Sequence, residues 1–234
     1  MTETDPLQKE YSKKIEDNGE IMFIGSNNRD NFNEHAETHF TYLIEQGLQP
    51  NMVVLDVGCG DGSLLDYLIK KKNVDGRGLE IDQDKIRECL AKGISAIQGD
   101  ADIDLIDYPD KSFDYSILTY TLQATKRPKK VLEELVRISN KAIVSFPNFG
   151  YWKIRMSLLL NGKMPVSNEL SYSWHETPNL HFCTIYDFID LCEATDIKIE
   201  KKVNLKKNVI QSYNDKEWFE NFFSGSGMFL ISKK

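Results

Sequence analysis

Residues 53–62 read VVLDVGCGDG, and this stretch decides the fold. The first five residues form an apolar run interrupted only by Asp56, which predicts a strand buried on both faces of a sheet. Glycines follow at alternate positions, Gly58, Gly60 and Gly62, directly before a segment with helical spacing. Glycine allows the backbone to approach a ligand closely at the carboxyl edge of a parallel sheet. The turn therefore predicts a nucleotide-like ligand at this edge.

The spacing of the glycines distinguishes this turn from two other nucleotide-binding loops. The dinucleotide fingerprint is GxGxxG, whereas the pattern here is GxGxG. No lysine follows the glycines, which excludes a P-loop. An NAD-type Rossmann domain, or a related fold that has lost its ligand, remains the alternative at this point.

Short apolar runs alternate with amphipathic stretches along the rest of the chain, as is typical of α/β domains. We expect a doubly wound, mostly parallel seven-stranded sheet with helices on both faces. One domain is predicted over residues 29–234, with a weakly patterned extension at 1–28 and an aromatic-rich, irregular insertion at about 146–183. Besides 53–57, strands are predicted at 77–81, 95–98, 115–119, 141–146, 198–205 and 227–232, and helices at 31–46, 63–72, 83–92, 129–139 and 184–195.

Composition excludes several classes of function. The 234-residue chain has a formal net charge of -7, the wrong sign for a protein that binds nucleic acid by neutralising phosphates. No apolar run is long enough for a membrane-spanning helix, and the start lacks a secretory signal, so we expect a cytoplasmic protein. The cysteines are widely spaced without a CxxC pair, which argues against a metal site or disulfides; they are Cys59, Cys89, Cys183 and Cys192.

Acidic residues follow the glycine turn in an informative order. The second strand ends at Glu80, whose carboxylate can accept hydrogen bonds from both hydroxyls of a ribose. Asp100 follows the third strand and can accept a hydrogen bond from an adenine amino group. Together with Asp56 these acids suit a cationic adenosine ligand, such as the sulfonium S-adenosylmethionine. The predicted cofactor-binding residues are Asp56, Gly58, Cys59, Gly60, Gly62, Glu80, Ile81, Asp100, Ala101 and Thr119.

This order of strand, GxGxG turn and two acids resembles a class I S-adenosylmethionine-dependent methyltransferase domain over about residues 52–146. Further stretches resemble the methionine biosynthesis protein MetW family, from about residue 29 to near the carboxyl end. The resemblance implies a bacterial protein that binds S-adenosylmethionine or S-adenosylhomocysteine and associates with homoserine O-acetyltransferase. The extension at 1–28 departs from the family's shorter members. The stretches that carry the resemblance are TLQA at 121–124, AIVSFPNFG at 142–150, MPV at 164–166 and ETPNLHFCTI at 176–185.

The residues that would catalyse methyl transfer are not evident from the sequence. The sequence at the edge of the fourth strand is LTYTLQ, at 118–123, which is not the Asp/Asn-Pro-Pro-Tyr/Phe motif of methyltransferases that act on amino groups. Methyl transfer to a weak nucleophile needs a base. His175 and His181 in the insertion are candidates for that base, and Tyr151 is a candidate for shaping the pocket or assisting catalysis.

The insertion has a second interpretation as a protein-docking surface. Aromatic residues, methionine and arginine are enriched at the cores of protein interfaces. Trp152, Arg155 and Trp174 would then be the anchors. Two functions stay open: a ligand-sensing partner of the acetyltransferase, and a methyltransferase acting on a small acceptor.

Overall fold

The computed structural model describes residues 46–166, 170, 173–206, 209–212 and 217–234. Their main feature is a single eight-stranded sheet with the order β3-β2-β1-β4-β5-β8-β6-β7. The strands are β1 (Val53–Val57), β2 (Asp75–Glu80), β3 (Ser95–Gln98), β4 (Phe113–Thr119), β5 (Ser139–Pro147), β6 (Ile197–Lys206), β7 (Val209–Ser212) and β8 (Ser226–Lys233). The helices are α1 (Ser63–Lys72), α2 (Gln83–Ala91), α3 (Pro128–Ile138), α4 (Trp152–Asn161), α5 (Ile185–Glu193) and α6 (Glu217–Phe223).

The sheet is mostly parallel. Strands β1 to β5 pair in parallel, whereas β8 runs antiparallel between β5 and β6. The predicted doubly wound, mostly parallel architecture is confirmed, and the short edge strand β7 adds an eighth strand by pairing with β6. The chain winds outward from β1 to β3 and then returns to β4 on the other side of β1. This reversal opens a crevice at the carboxyl ends of β1 and β4, where ligands bind in such sheets.

Successive side chains of a strand point to opposite faces of the sheet, so the apolar strands contribute to a core on each face. In β1, Leu55 and Val57 pack with buried residues of α3 and α5, whereas Val54 packs with those of α1. The helices present complementary stripes, such as Leu64 and Leu68 on α1. Burial on both faces explains why the central strands read as nearly continuous apolar runs.

The predicted elements agree closely with the structure outside the insertion. Strands β1 and β3 and helix α1 have the predicted bounds, and the other predicted elements among the described residues differ by a few residues at their ends. The prediction of an irregular insertion is wrong for Trp152–Asn161, which form α4. Only Ile154 of this helix is buried, so it lacks the core-facing stripe by which a helix is normally predicted. The expected helix at 31–46, except its last residue, and the extension at 1–28 lie outside the described residues.

No helix within the described ranges is both long and apolar enough to cross a membrane. Length is decisive, because a membrane-spanning helix needs about 20 residues. The longest described helix, α3, has 11.

An aromatic cluster between α5 and the sheet provides a test of this core. The ring of Phe188 lies 4.9 Å from that of Phe146 and 4.6 Å from that of Phe229, centroid to centroid. We expect Phe188→Ala to lower the free energy of unfolding by about 3–5 kcal/mol, because it leaves a cavity in a packed core. Urea titration followed by circular dichroism measures this loss. Leu90→Ala, at a position on α2 that is 56% exposed, is the control, and an equal loss in both variants would contradict the assignment of the core.

Candidate functional site

A cavity of about 360 Å³ lies at the carboxyl edge of the sheet, where the winding order reverses. One side is formed by residues at or just after the ends of β1 to β4, including Gly58, Glu80, Asp100 and Tyr120. The insertion supplies the other side with apolar and aromatic residues, namely Phe149, Met164, Pro165, Leu170, Trp174, Pro178 and Phe182. The cavity therefore has an acidic side on the sheet and an apolar side on the insertion.

Gly58 forms the part of the glycine turn that lines the cavity. Its φ of 73° lies in the left-handed region, and its N–H donates to the carbonyl of Leu79 at 2.7 Å. A Cβ atom at this position would come within 2.5 Å of Thr121 Oγ1. Both the backbone conformation and the close approach of the loop after β4 therefore require glycine here.

The remainder of the turn packs away from the cavity. Cys59 is buried, and its Sγ occupies the space that a Cβ at Gly78 would need, at 2.5 Å. A Cβ at Gly62 would lie 2.8 Å from Cys89 Sγ. The Cys89 thiol in turn donates to the carbonyl of Gly60 at 3.2 Å. These contacts hold the glycine turn against α2 and β2. The residues that make them are not among those that line the cavity.

Glu80 holds the glycine turn and the end of β2 together. Its side chain is buried, and Oε2 accepts from the N–H of Gly60 at 2.9 Å. Oε1 accepts from the N–H groups of Ile81 at 2.8 Å and Asp82 at 3.0 Å. Three backbone N–H groups thus hold the side chain of Glu80 in place, and Glu80 also lines the cavity. Because each carboxylate oxygen has two lone pairs, Oε2 can still accept one hydrogen bond from a ligand.

Asp56 carries a buried carboxylate without a complete set of partners. The side chain is 2% exposed, and Oδ1 has no hydrogen-bond partner among the described residues. Burial, followed by the negative charges of Glu80 and Asp61, raises the pKa of Asp56 to about 7. A cation held close to Asp56 would offset both causes, so this carboxylate fits a positively charged ligand.

The structure divides the predicted cofactor residues into two groups. Those that line the cavity are Gly58, Glu80, Ile81, Asp100 and Ala101. Those that do not line it are Asp56, Cys59, Gly60, Gly62 and Thr119. Asp100 is held by the N–H of Asp102, which donates to its Oδ1 at 2.8 Å.

The three candidates for catalytic roles do not line the cavity. His175 is exposed, with its ring 5.5 Å from that of Trp174. His181 is also exposed, and Tyr151 is half-buried beside Trp152. The described residues that line the cavity include neither histidine nor cysteine. No group of three residues able to hold a metal ion occurs in the part of the chain that the structure describes.

Gln123 is a site residue for which the sequence predicted no role of its own. It is 5% exposed and lines the cavity, and its Nε2 donates to the carbonyl of Tyr120 at 2.7 Å. Its own main-chain carbonyl accepts from the N–H groups of Leu180 at 2.8 Å and His181 at 3.0 Å. Gln123 thereby fastens the insertion to the end of β4. A buried amide in a short turn gives no periodic signal, so only its place directly after a strand could have indicated this role.

Comparisons with known proteins agree with this architecture. A family model described as "Methionine biosynthesis protein MetW" matches residues 38–231. The bifunctional methionine biosynthesis protein MetXA/MetW of Rhodopirellula baltica is 35% identical over 159 residues. The matched region covers 64% of this chain and 26% of that protein, so the chain corresponds to about a quarter of its relative's length.

Solved structures of methyltransferases share the fold. Magnesium protoporphyrin IX methyltransferase from Synechocystis PCC 6803 with bound SAH gives a TM-score of 0.62 at 16% identity, covering 97% of this chain and 99% of that chain. An S-adenosylmethionine-dependent methyltransferase from Thermotoga maritima gives 0.61 at 16% identity, covering 97% and 96%. At this level of identity the likeness establishes the fold alone.

The raised pKa of Asp56 predicts a specific dependence of stability on pH. The folded pKa is about 7, against 3.8 for an ordinary aspartate, so between these values the folded form binds a proton that the unfolded form lacks. The stability that this group contributes is therefore present below pH 4 and is lost as the pH rises through about 7. We expect Asp56→Asn to remove this loss, which amounts to up to roughly 4 kcal/mol at about 1.4 kcal/mol per pKa unit.

Urea titrations of wild type and Asp56→Asn between pH 4 and pH 8 isolate this contribution, because all other groups are shared. The matched control is Asp75→Asn, at an exposed carboxylate on β2. If the free energy of unfolding changes with pH in the same way in wild type and in Asp56→Asn, the raised pKa of Asp56 is contradicted.

Proposed function

The chain belongs to the MetW family of methionine biosynthesis proteins, and from this premise we propose that it binds S-adenosylmethionine or S-adenosylhomocysteine and supports homoserine O-acetyltransferase. The observation that carries the ligand is the buried carboxylate of Glu80, which lines the cavity, with the buried carboxylate of Asp56 near it and outside the lining. Such a site favours an adenosine ligand with a cationic side chain over one with a pyrophosphate.

Separate parts of the cavity suit separate parts of this ligand. Oε2 of Glu80, which accepts from one backbone N–H, can also accept from a ribose hydroxyl. Asp100 and Ala101, after β3, suit the adenine. Asp56 supplies negative charge near the cationic methionine part of the ligand, and Gly58 allows close approach. When bound, S-adenosylmethionine supplies an activated methyl group.

The partner is supported by the relative from Rhodopirellula baltica, whose name combines MetXA and MetW in one bifunctional protein. A fusion keeps two modules at high local concentration, which is useful when they act together. For the present chain, we propose that homoserine O-acetyltransferase associates without fusion and that the bound ligand sets the strength of this association. Such sensing requires that the free and ligand-bound forms differ in affinity for the partner.

The cavity also favours a second candidate function, methyl transfer to a small acceptor. Its apolar side, formed by residues such as Phe149, Trp174 and Phe182, offers a place for an acceptor next to the proposed ligand site. The described lining carries no histidine or cysteine, and Tyr120 and the carboxylates on the sheet side are groups there that could move a proton. Association with the acetyltransferase is the preferred proposal, because the family match and the fused relative support it.

The ligand proposal is tested by Glu80→Gln. We expect affinity for S-adenosylhomocysteine to fall by about 10-fold to 100-fold, because hydrogen bonds to a charged group contribute about 1.5–3 kcal/mol each. Isothermal titration calorimetry measures this change, and circular dichroism confirms folding. Asp75→Asn removes an exposed carboxylate from the same strand and should bind as wild type does. Unchanged affinity in a folded Glu80→Gln variant would place the ligand elsewhere.

The proposed function is tested by the acetyl-transfer rate of homoserine O-acetyltransferase from the same organism, with and without this protein. Each mixture is assayed without ligand and at saturating S-adenosylmethionine. We expect a faster rate with this protein and a further change with ligand. Formation of S-adenosylhomocysteine is followed in the same mixtures with candidate acceptors. Product formation without any effect on acetyl transfer would favour the methyltransferase instead.

A further inference from the structure

Helix α4 exposes an apolar face of a kind that folded proteins usually bury. Four of its five exposed apolar residues recur at i, i+4, i+7 and i+8, which places them on one side of the helix, whereas Leu158 (42% exposed) lies outside this side. We call this face the α4 stripe, and its members are Trp152 (37% exposed), Met156 (37%), Leu159 (75%) and Leu160 (72%). Because Ile154 is the only buried residue of α4, the helix adds little to the core. Contiguous exposed apolar surface of this type marks interaction sites.

The α4 stripe is bordered by positive charge. Lys153 and Arg155 lie within the helix and Lys163 just beyond its end, and α4 contains no acidic residue. No carboxylate forms an ion pair with these three cations in the described part of the chain. The whole chain, by contrast, has a net charge of -7. A local basic rim on an acidic protein selects a partner surface with acidic groups.

Two of the anchors expected from the sequence do not belong to this face. Trp174 lines the cavity. Arg155 directs its Nε to the carbonyl of Gly150 at 2.5 Å and its guanidinium over the ring of Phe222 at 5.5 Å, so it is held by its own chain. Of the three anchors expected from the sequence, only Trp152 is part of the α4 stripe.

A second copy of this chain is a poor occupant for the stripe. In a two-fold dimer the same surface meets itself, so Lys153 and Lys163 would approach the same cations of the other copy. Like charges placed together across an interface oppose association. A partner that has an apolar groove rimmed by acidic side chains would complement both the apolar residues of the α4 stripe and the cations beside them.

We propose that the α4 stripe is the docking surface for homoserine O-acetyltransferase, which receives the helix in an apolar groove rimmed by carboxylates. The proposal rests on the partner named in the proposed function, and the fusion of MetXA with MetW in a relative is the reason for choosing that partner as the occupant. A helix laid into a groove presents residues at i, i+4, i+7 and i+8 as its anchors, as the stripe does.

The position of α4 links docking to the ligand cavity. Phe149 comes shortly before the helix, and Met164 and Pro165 follow soon after it; all three line the cavity. If docking shifts α4, the cavity-lining residues that flank both ends of the helix therefore move with it. A ligand that favours one position of these walls therefore changes the affinity of this protein for its partner. By thermodynamic linkage, the partner changes the affinity of this protein for the ligand by the same factor.

The test measures binding of the full-length protein to homoserine O-acetyltransferase from the same organism by biolayer interferometry, with and without S-adenosylhomocysteine. We expect Leu159→Glu to weaken partner binding by about tenfold or more, because it places a charge in the centre of an apolar contact. The matched control is Leu90→Glu, at a leucine of α2 that is 56% exposed and outside the stripe, and it should bind as wild type does. Calorimetry should show that Leu159→Glu keeps its affinity for S-adenosylhomocysteine, which also confirms folding.

Other outcomes overturn separate parts of the proposal. If wild type binds the acetyltransferase and Leu159→Glu binds equally well, the α4 stripe is not the docking surface, although the partner role stands. If wild type binds S-adenosylhomocysteine but not the acetyltransferase in either ligand state, both the partner role and the docking surface fail. If sedimentation shows a wild-type dimer that Leu159→Glu dissociates and Leu90→Glu preserves, the stripe is occupied by a second copy.

Discussion

The arrangement of the site depends on one buried carboxylate, that of Glu80, and the three backbone N–H groups that it accepts from. These hydrogen bonds fix the glycine turn after β1 relative to the end of β2, and so determine the shape of the crevice between them. The same carboxylate brings a second negative charge near Asp56, whose own burial already disfavours ionisation. The carboxylate that orders the turn therefore also adds to the negative charge near Asp56, which would favour the cationic ligand that we propose.

Much of this arrangement could be predicted from the sequence, because it depends on local patterns. A buried strand, alternating glycines and a helical repeat define β1, the turn and α1 almost to the residue. Parallel strands end at one edge of a sheet, so Glu80 and Asp100 could be placed near the turn without coordinates. Helix α4 could not be predicted, because its apolar residues face outward and provide no core-facing period. The contacts of Gln123 with Leu180 and His181 depend on the path of the insertion, which only tertiary packing determines.

The insertion contributes to two surfaces, the wall of the cavity and the outside of the protein. Phe149, Met164 and Phe182 close the apolar side of the cavity, while the α4 stripe faces outward. Since α4 lies in the chain between Phe149 and Met164, the cavity wall and the outer surface are parts of one continuous segment. This arrangement would give a physical route by which the proposed ligand in the cavity and the proposed partner on the outer surface influence one another.

The elevated pKa of Asp56 has a further consequence for energetics. Near neutral pH this carboxyl is about half protonated in the free protein, because its pKa is about 7. A cation that binds beside it stabilises the ionised form and expels the remaining proton into solution. Binding of a cationic ligand at the proposed site would therefore be coupled to proton release, and protons would compete with that ligand for the same carboxylate. A drop in pH would act on the proposed site in the same direction as a fall in the concentration of a cationic ligand.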